Sequence, residues 1–159
     1  MVANPSTRIR SVGAGEGITH ALLAVDGSAA SVRAAGRLRS ILSAFPDARL
    51  SVIYVAHLPR DLQVSGTGEK VIVEFPLSSM VRATAAPALQ AAMGALGSLA
   101  TRAETEVQIG EPAMEIVDYA RSQGVDLIVM GLKGTGPTTV GGVCNKVLAL
   151  ADCPVLLVQ

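Results

Sequence analysis

The chain of 159 residues is the size of one domain. Half of it is apolar, aromatics make up only 3% and tryptophan is absent, so its core must be built from Ala, Val, Leu and Ile. That composition suits parallel strands buried on both faces beneath alanine-rich helices. Thirteen basic residues balance thirteen acidic ones, so no long-range field invites nucleic acid or an anionic membrane. Cys144 and Cys153 show no CxxC spacing and have no histidine pair beside them. Neither a disulfide scaffold nor a zinc site is supported, and a reducing, cytoplasmic compartment is the default.

Residues 1–17 read as a mobile arm, polar and glycine-bearing, with Arg8 and Arg10 but no apolar run of a secretory signal. The domain proper then spans 18–159. His20 to Asp26 is a first strand, and Gly27-Ser28 makes the turn, with Ser28 placed to cap a helix running to about Ala44. Val32, Ala35, Leu38, Ile41 and Leu42 have core-facing spacing on that helix, and Arg33 and Arg37 share its solvated face. Pro46 blocks its continuation. Leu50 to Ala56 is a second strand. From His57 to Ser79 periodicity fails around a short β-like run, Val71 to Val73.

An uncharged stretch, Ala83 to Thr101, is too rich in Ala, Gly, Ser and Thr for a membrane span and reads as a soluble helix with Pro87 near its start. Leu89, Met93 and Leu96 can face the sheet; Ala91, Gly94 and Ala95 would lie on a face that a neighbouring segment covers. Glu104 to Ile109 is a third strand, and Gly110-Glu111-Pro112 opens a helix with proline in its first turn. Ile116, Val117 and Ala120 form that helix's core face, and Gly124 ends it. Leu127 to Met130 is a fourth strand. A helix over about Gly142 to Ala151 and a strand from Pro154 to Val158 complete the chain. Alternation of this kind implies an α/β fold: a doubly wound parallel sheet with helices on both faces.

The chemistry concentrates after the fourth strand. Gly131, Lys133 and Gly134 are followed by Thr135, Gly136, Pro137, Thr138 and Thr139, then a helix. Glycines let a backbone approach a phosphate, and a helix start offers free N–H groups and positive dipole. Glycine also follows strands simply because tight turns need it. In a sheet of order 3-2-1-4-5 the ligand crevice lies between strands one and four, where Asp26-Gly27-Ser28 and Gly131-Leu132-Lys133-Gly134 would face each other. No Ser/His/Asp arrangement, no Walker lysine and no carboxylate cluster with metal spacing is visible. Any ATP hydrolysis would be slow and incidental. His20, His57 and Cys144 read as structural or surface residues.

Four segments in order carry a resemblance: Leu22 to Ser28, Val107 to Pro112, Asp126 to Gly131, and Cys153 to Val158. The chain resembles the universal stress protein family over about Ile18 to Gln159. The resemblance implies a five-stranded parallel sheet of order 3-2-1-4-5 and a homodimer, with one branch of the family binding ATP and another lacking the motif. That motif is Gly-x2-Gly-x9-Gly-Ser/Thr. Gly131 and Gly134 match its first half, but only Thr135 to Val140 separate Gly134 from Gly141. The Ser/Thr position holds Gly142, and a further hydroxyl position aligns with Cys144.

The resemblance places Asp26 near ribose and metal-bound phosphate, and Val55 where backbone pairs with adenine. Asp26 also reads as a turn-forming residue bonded to the backbone of Ser28, and Val55 as a core valine. Ala24, Met130, Gly131, Lys133, Gly134, Gly141 and Gly142 complete the expected nucleotide contacts, for ATP or AMP with Mg²⁺. Loss of two bonds to charged oxygens, at about 1.5–3 kcal/mol each, would weaken triphosphate binding by roughly 10²–10⁴. The leading expectation is a cytoplasmic stress-response homodimer, paired through its C-terminal strand, that binds an adenine nucleotide as a signal. The alternative is a same-fold interaction module, with an unknown protein partner, that binds no ATP.

Overall fold

The computed structural model of the protein describes residues 17–57, 77–133 and 142–159. The expected arm, apart from Gly17, lies outside them, as do the run Val71 to Val73 and the loop residues Gly134 and Gly141.

Five strands form one parallel sheet: β1 His20–Val25, β2 Arg49–Ala56, β3 Ala103–Ile109, β4 Leu127–Gly131 and β5 Val155–Val158. Their order is β3-β2-β1-β4-β5, as the sequence led us to expect. β1 is central, and all six of its residues are buried. Such a strand has two apolar faces and therefore shows no alternation.

Four helices cover the sheet: α1 Ala29–Leu42, α2 Leu77–Leu96, α3 Pro112–Gln123 and α4 Gly142–Leu150. Ala21, Leu23 and Val25 of β1 pack with α1 and α2, whereas Leu22 and Ala24 pack with α3 and α4. Helices therefore lie on both faces.

The helix ends follow local chemistry. Ser28 caps α1, its hydroxyl accepting from the N–H of Ser31 at 3.1 Å. Glu111 caps α3 through the N–H of Met114 at 3.0 Å, Pro112 takes the first helical position, and Gly124 closes the helix at φ 65°. The other Glu111 oxygen accepts from Lys146 Nζ at 3.0 Å, tying α4 to the start of α3.

Three helical readings need correction. On α1, Ala30, Ala34, Ala35, Leu38 and Leu42 are buried, while Val32 and Ile41 are only half-buried. Helix α2 begins at Leu77, so Pro87 is internal rather than near its start; being exposed, its missing N–H leaves no core polar group stranded. The buried stripe of α2 is Val81, Ala85, Ala88, Ala92 and Leu96, with Leu89 and Met93 at its margin. Ala91 and Gly94 are exposed, and a Cβ on Gly94 would meet nothing within 4 Å. Ala95 of that face is half-buried against the core, and the excursion from Arg60 to Pro76, a candidate cover beside the alternative of an exposed face, lies outside the described residues. The helix then tightens into a 3₁₀ segment, Gly97–Arg102, before β3. Among the described residues no helix is long and apolar enough to cross a membrane.

Polar groups, half-exposed at Asp126 and buried at His20 and Ser51, stitch the N-terminal ends of the strands. The Asp126 carboxylate accepts from Thr19 N at 2.7 Å, Thr19 Oγ1 at 2.6 Å and His20 N at 3.2 Å, joining β1 to β4. His20 is 3% exposed, with Nδ1 3.2 Å from the Gln123 carbonyl and Nε2 2.8 Å from Ser51 Oγ. A carbonyl only accepts, so Nδ1 carries the proton. Nε2 of the neutral ring then accepts from Ser51, which in turn accepts from Tyr119 at 3.2 Å. His20 is thus structural, as its isolation in the sequence suggested.

Burial raises the Glu111 carboxyl, but hydrogen bonds from Lys146 and from the N–H groups of Met114 and Ala113 outweigh it, and it titrates below the usual glutamate value of 4.5. Its contribution to stability is therefore present above about pH 4.5 and lost as pH falls through the lower folded value. Glu111→Gln should be less stable than the natural protein at pH 7, with the difference closing as pH falls below about 4.5. Urea midpoints across that range measure it; a constant difference contradicts the assignment.

Candidate functional site

The reversal of strand order falls between β1 and β4, whose residues Ala24 and Met130 are paired. Beyond their C-terminal ends, a parallel sheet opens a crevice. Asp26 and Gly27 leave β1 on one side; Gly131, Leu132 and Lys133 leave β4 on the other.

Gly27 has φ 82°, a conformation that favours glycine, and a Cβ there would lie 3.4 Å from Ala88 Cβ of α2. Oδ1 of Asp26 accepts from Ser28 N at 2.9 Å, so this residue does fold back on its own turn. Ser31 Oγ donates to the Ser28 carbonyl at 2.9 Å, and the first turn of α1 is thereby fixed.

That turn sits directly on the end of β4. A Cβ on Gly131 would lie 2.7 Å from Ser31 N and 2.8 Å from the Ala30 carbonyl carbon. Both are backbone atoms and cannot swing away. The glycine at 131 therefore has a structural reason that needs no ligand. Gly131→Val would therefore disturb the fold itself and does not isolate close approach of a phosphate.

Cys144, in the first turn of α4, closes the crevice from the other face. Its thiol lies 3.2 Å from the Gly131 carbonyl and 3.6 Å from that of Leu132, and donates to them. Burial, then the nearby Asp26 charge, pushes this thiol up, so it stays protonated. Asp26 at the end of β1 thus lies near enough to the start of α4 for its charge to act on Cys144. Gly142, two residues earlier and exposed, has open space where a Cβ would stand.

Of the residues the sequence singled out, Ala24, Asp26, Met130, Gly131 and Lys133 meet at this crevice. Ala24 and Met130 are buried beneath it, and Asp26 and Lys133 are exposed at its rim. Val55 follows Tyr54, the partner of Val25, so it lies level with Asp26 one strand away. It packs half-buried against the core on the α3 side, which fits the core-valine reading. The sequence reading missed the Glu111–Lys146 tie that seats α4; a glutamate before a helix-opening proline was its available signal. It also treated Arg33 as merely solvated, whereas its Nε donates to the Gln159 carbonyl after β5. Among the described residues no group of three or more His, Cys, Asp or Glu could hold a metal.

Gly131→Ala should destabilise the ligand-free protein by about 1–3 kcal/mol, the usual cost of forcing a methyl into packed space. Urea unfolding without nucleotide measures this, and unchanged stability would contradict the contact.

The family model described as the universal stress protein family matches residues 17–159. Universal stress protein YxiE of Bacillus subtilis is 32% identical over 147 residues, covering 87% of this chain and 97% of that protein. The solved structure of universal stress protein UspA from Lactobacillus plantarum superposes with a TM-score of 0.69 at 28% identity, covering 91% of this chain and 99% of that one. A universal stress protein solved in complex with cAMP shares the fold, with a TM-score of 0.62 at 23% identity over 91% of this chain and 98% of its own. On a match that takes in every described element, the chain belongs to the universal stress protein family.

Proposed function

We propose that this protein binds an adenine nucleotide in the crevice between the C-terminal ends of β1 and β4, as a signal rather than as a fuel. One observation carries the reading: the strand order sets its reversal point where Asp26, Lys133 and the start of α4 converge. A structural relative of the same fold holds cAMP, a nucleotide with a single phosphate, which supports the class of ligand. No nucleophile with an adjacent base stands among the described crevice residues, so recognition and not turnover is the expected role.

The phosphate end is thinly furnished. Gly142 offers no hydroxyl, and Cys144 spends its only donor on strand carbonyls. A monophosphate asks less of this loop than a triphosphate does. Calorimetry should therefore give AMP or ADP binding at least as tight as ATP. Gly142→Ser fits the open space at that position and should tighten ATP by about tenfold, the worth of one bond to a charged oxygen. ATP binding much tighter than AMP in the natural protein would contradict the reading.

A second reading is favoured by the way Asp26 and Cys144 are already engaged in local bonds. On it, the crevice binds no nucleotide and the protein is an interaction module. Absence of nucleotide from the purified protein, by absorbance ratio and mass spectrometry, together with silent calorimetry, would establish this reading over the first.

We further propose a homodimer through β5. That strand pairs with β4 on one side only among the described residues, and reads Val-Leu-Leu-Val with no guarding charge. Antiparallel pairing with a second copy would close both edges in one two-fold contact. Leu157→Lys should then give monomer by light scattering; a variant that stays dimeric places the interface elsewhere.

A further inference from the structure

The opposite end of the sheet carries a second concave surface. The last turn of α1, the loop into β2 and the 3₁₀ segment ahead of β3 enclose an open cleft of about 350 Å³. Leu42, Pro46 and Leu99 give it apolar walls, and its polar side chains are Arg39, Ser43, Ser98 and Arg102. No carboxylate lines it.

The Arg102 guanidinium is held in place: one Nη donates to the Pro46 carbonyl and the other to that of Phe45. Its Nε is cut off from solvent and has no hydrogen-bond partner. A buried donor on a charged group normally finds an acceptor; since Nε faces no solvent, an anion in the cleft would be met by the Nη protons that the two carbonyls leave over. The Arg39 guanidinium lies over Gly97, 3.4 Å from where a Cβ would stand, and forms no ion pair among the described residues. Ser43 donates its hydroxyl proton to the Ser40 carbonyl at 2.7 Å, which leaves Ser98 as the hydroxyl able to serve an anion.

We infer that this cleft binds a phosphate monoester with a compact apolar body, its phosphate between Arg39 and Arg102 and its body against Leu42, Pro46 and Leu99. Two guanidinium charges without a carboxylate suit a dianion, and the apolar walls favour an ester over the bare ion. The site is independent of the nucleotide crevice, lying at the other ends of the strands.

Phenyl phosphate, titrated at low salt into the full chain and followed by amide chemical shifts, is the test. Saturable shifts are expected at Gly97, Ser98 and Leu99 and not at Gly131 to Lys133. Arg39 is exposed, so Arg39→Gln should keep the fold while weakening binding about tenfold. Ser98→Ala, a second change remote from the core, should weaken it severalfold. Inorganic phosphate should bind more weakly than phenyl phosphate, and phenol should not bind. No saturable shift at residues 97–99, or equal affinity in Arg39→Gln, overturns the site. Equal binding of phenol overturns the role of the charges, and equal binding of inorganic phosphate overturns that of the apolar walls.

Discussion

The contact between Gly131 and the first turn of α1 governs the geometry of this molecule's C-terminal crevice. Any side chain at 131 would meet the backbone of Ala30 and Ser31. Because none is present, α1 comes down onto the end of β4, and the turn from β1 must be tight enough to deliver it there. That demand explains the residues before it. Gly27 supplies the left-handed turn, Asp26 holds the N–H of Ser28, and Ser28 caps the helix. Three residue types that resemble an anion-binding motif are thus required for packing alone. A nucleotide proposed for this crevice would use a surface whose shape is set without it.

Alanine does for the helix layer what glycine does for the strand end. Ala34 and Ala35 of α1 and Ala85, Ala88 and Ala92 of α2 are buried in the layer over β1. Small side chains let helices approach closely, but they bury little area each, roughly 25 cal/mol per Å² of apolar surface. The large contributions come from Leu22, Leu23, Leu38, Leu42, Leu50, Leu96, Ile53 and Ile128, all fully buried. Polar stitching by Asp126, His20 and Ser51 fixes register where the strands begin. A one-residue slip would strand those groups without partners, so they specify one alignment more than they add stability.

Much of the fold could be read from the sequence because parallel strands buried on both faces appear as short apolar runs, and four of these are interrupted by glycine, proline or helical spacing. Strand positions came within a residue or two for the same reason. Helix α2 was harder. Its buried stripe is mostly alanine, so Leu89 and Met93 looked like the core face when they are its margin, and Pro87 read as a start. At the crevice, the glycine-bearing ends of β1 and β4 do fall at the reversal of strand order, since that order follows from topology. The bond of Asp26 to Ser28 could be read from its turn, but the partner of Cys144 could not, because a bond from its Sγ to the Gly131 carbonyl depends on how α4 is seated. That seating depends in turn on Glu111 and Lys146, 35 residues apart in the chain.

The two edges of the sheet are chemically unlike. β3 carries Glu104 and Glu106, the first exposed and paired to Arg49 at 3.1 Å, the second half-buried. Charge on an edge strand discourages a second strand from adding there, because pairing would bring those carboxylates against a partner and strip their water. β5 carries no such charge along Val155–Val158 and is half-buried throughout. An identical copy approaching this sheet therefore finds one guarded edge and one open edge. Pairing of β5 with β3 would extend without limit, since each addition exposes a fresh edge of both kinds. Pairing of β5 with β5 ends after two chains. If the proposed β5 homodimer forms, the carboxylates on β3 would favour it at a distance, by leaving the closed arrangement as the one without a penalty.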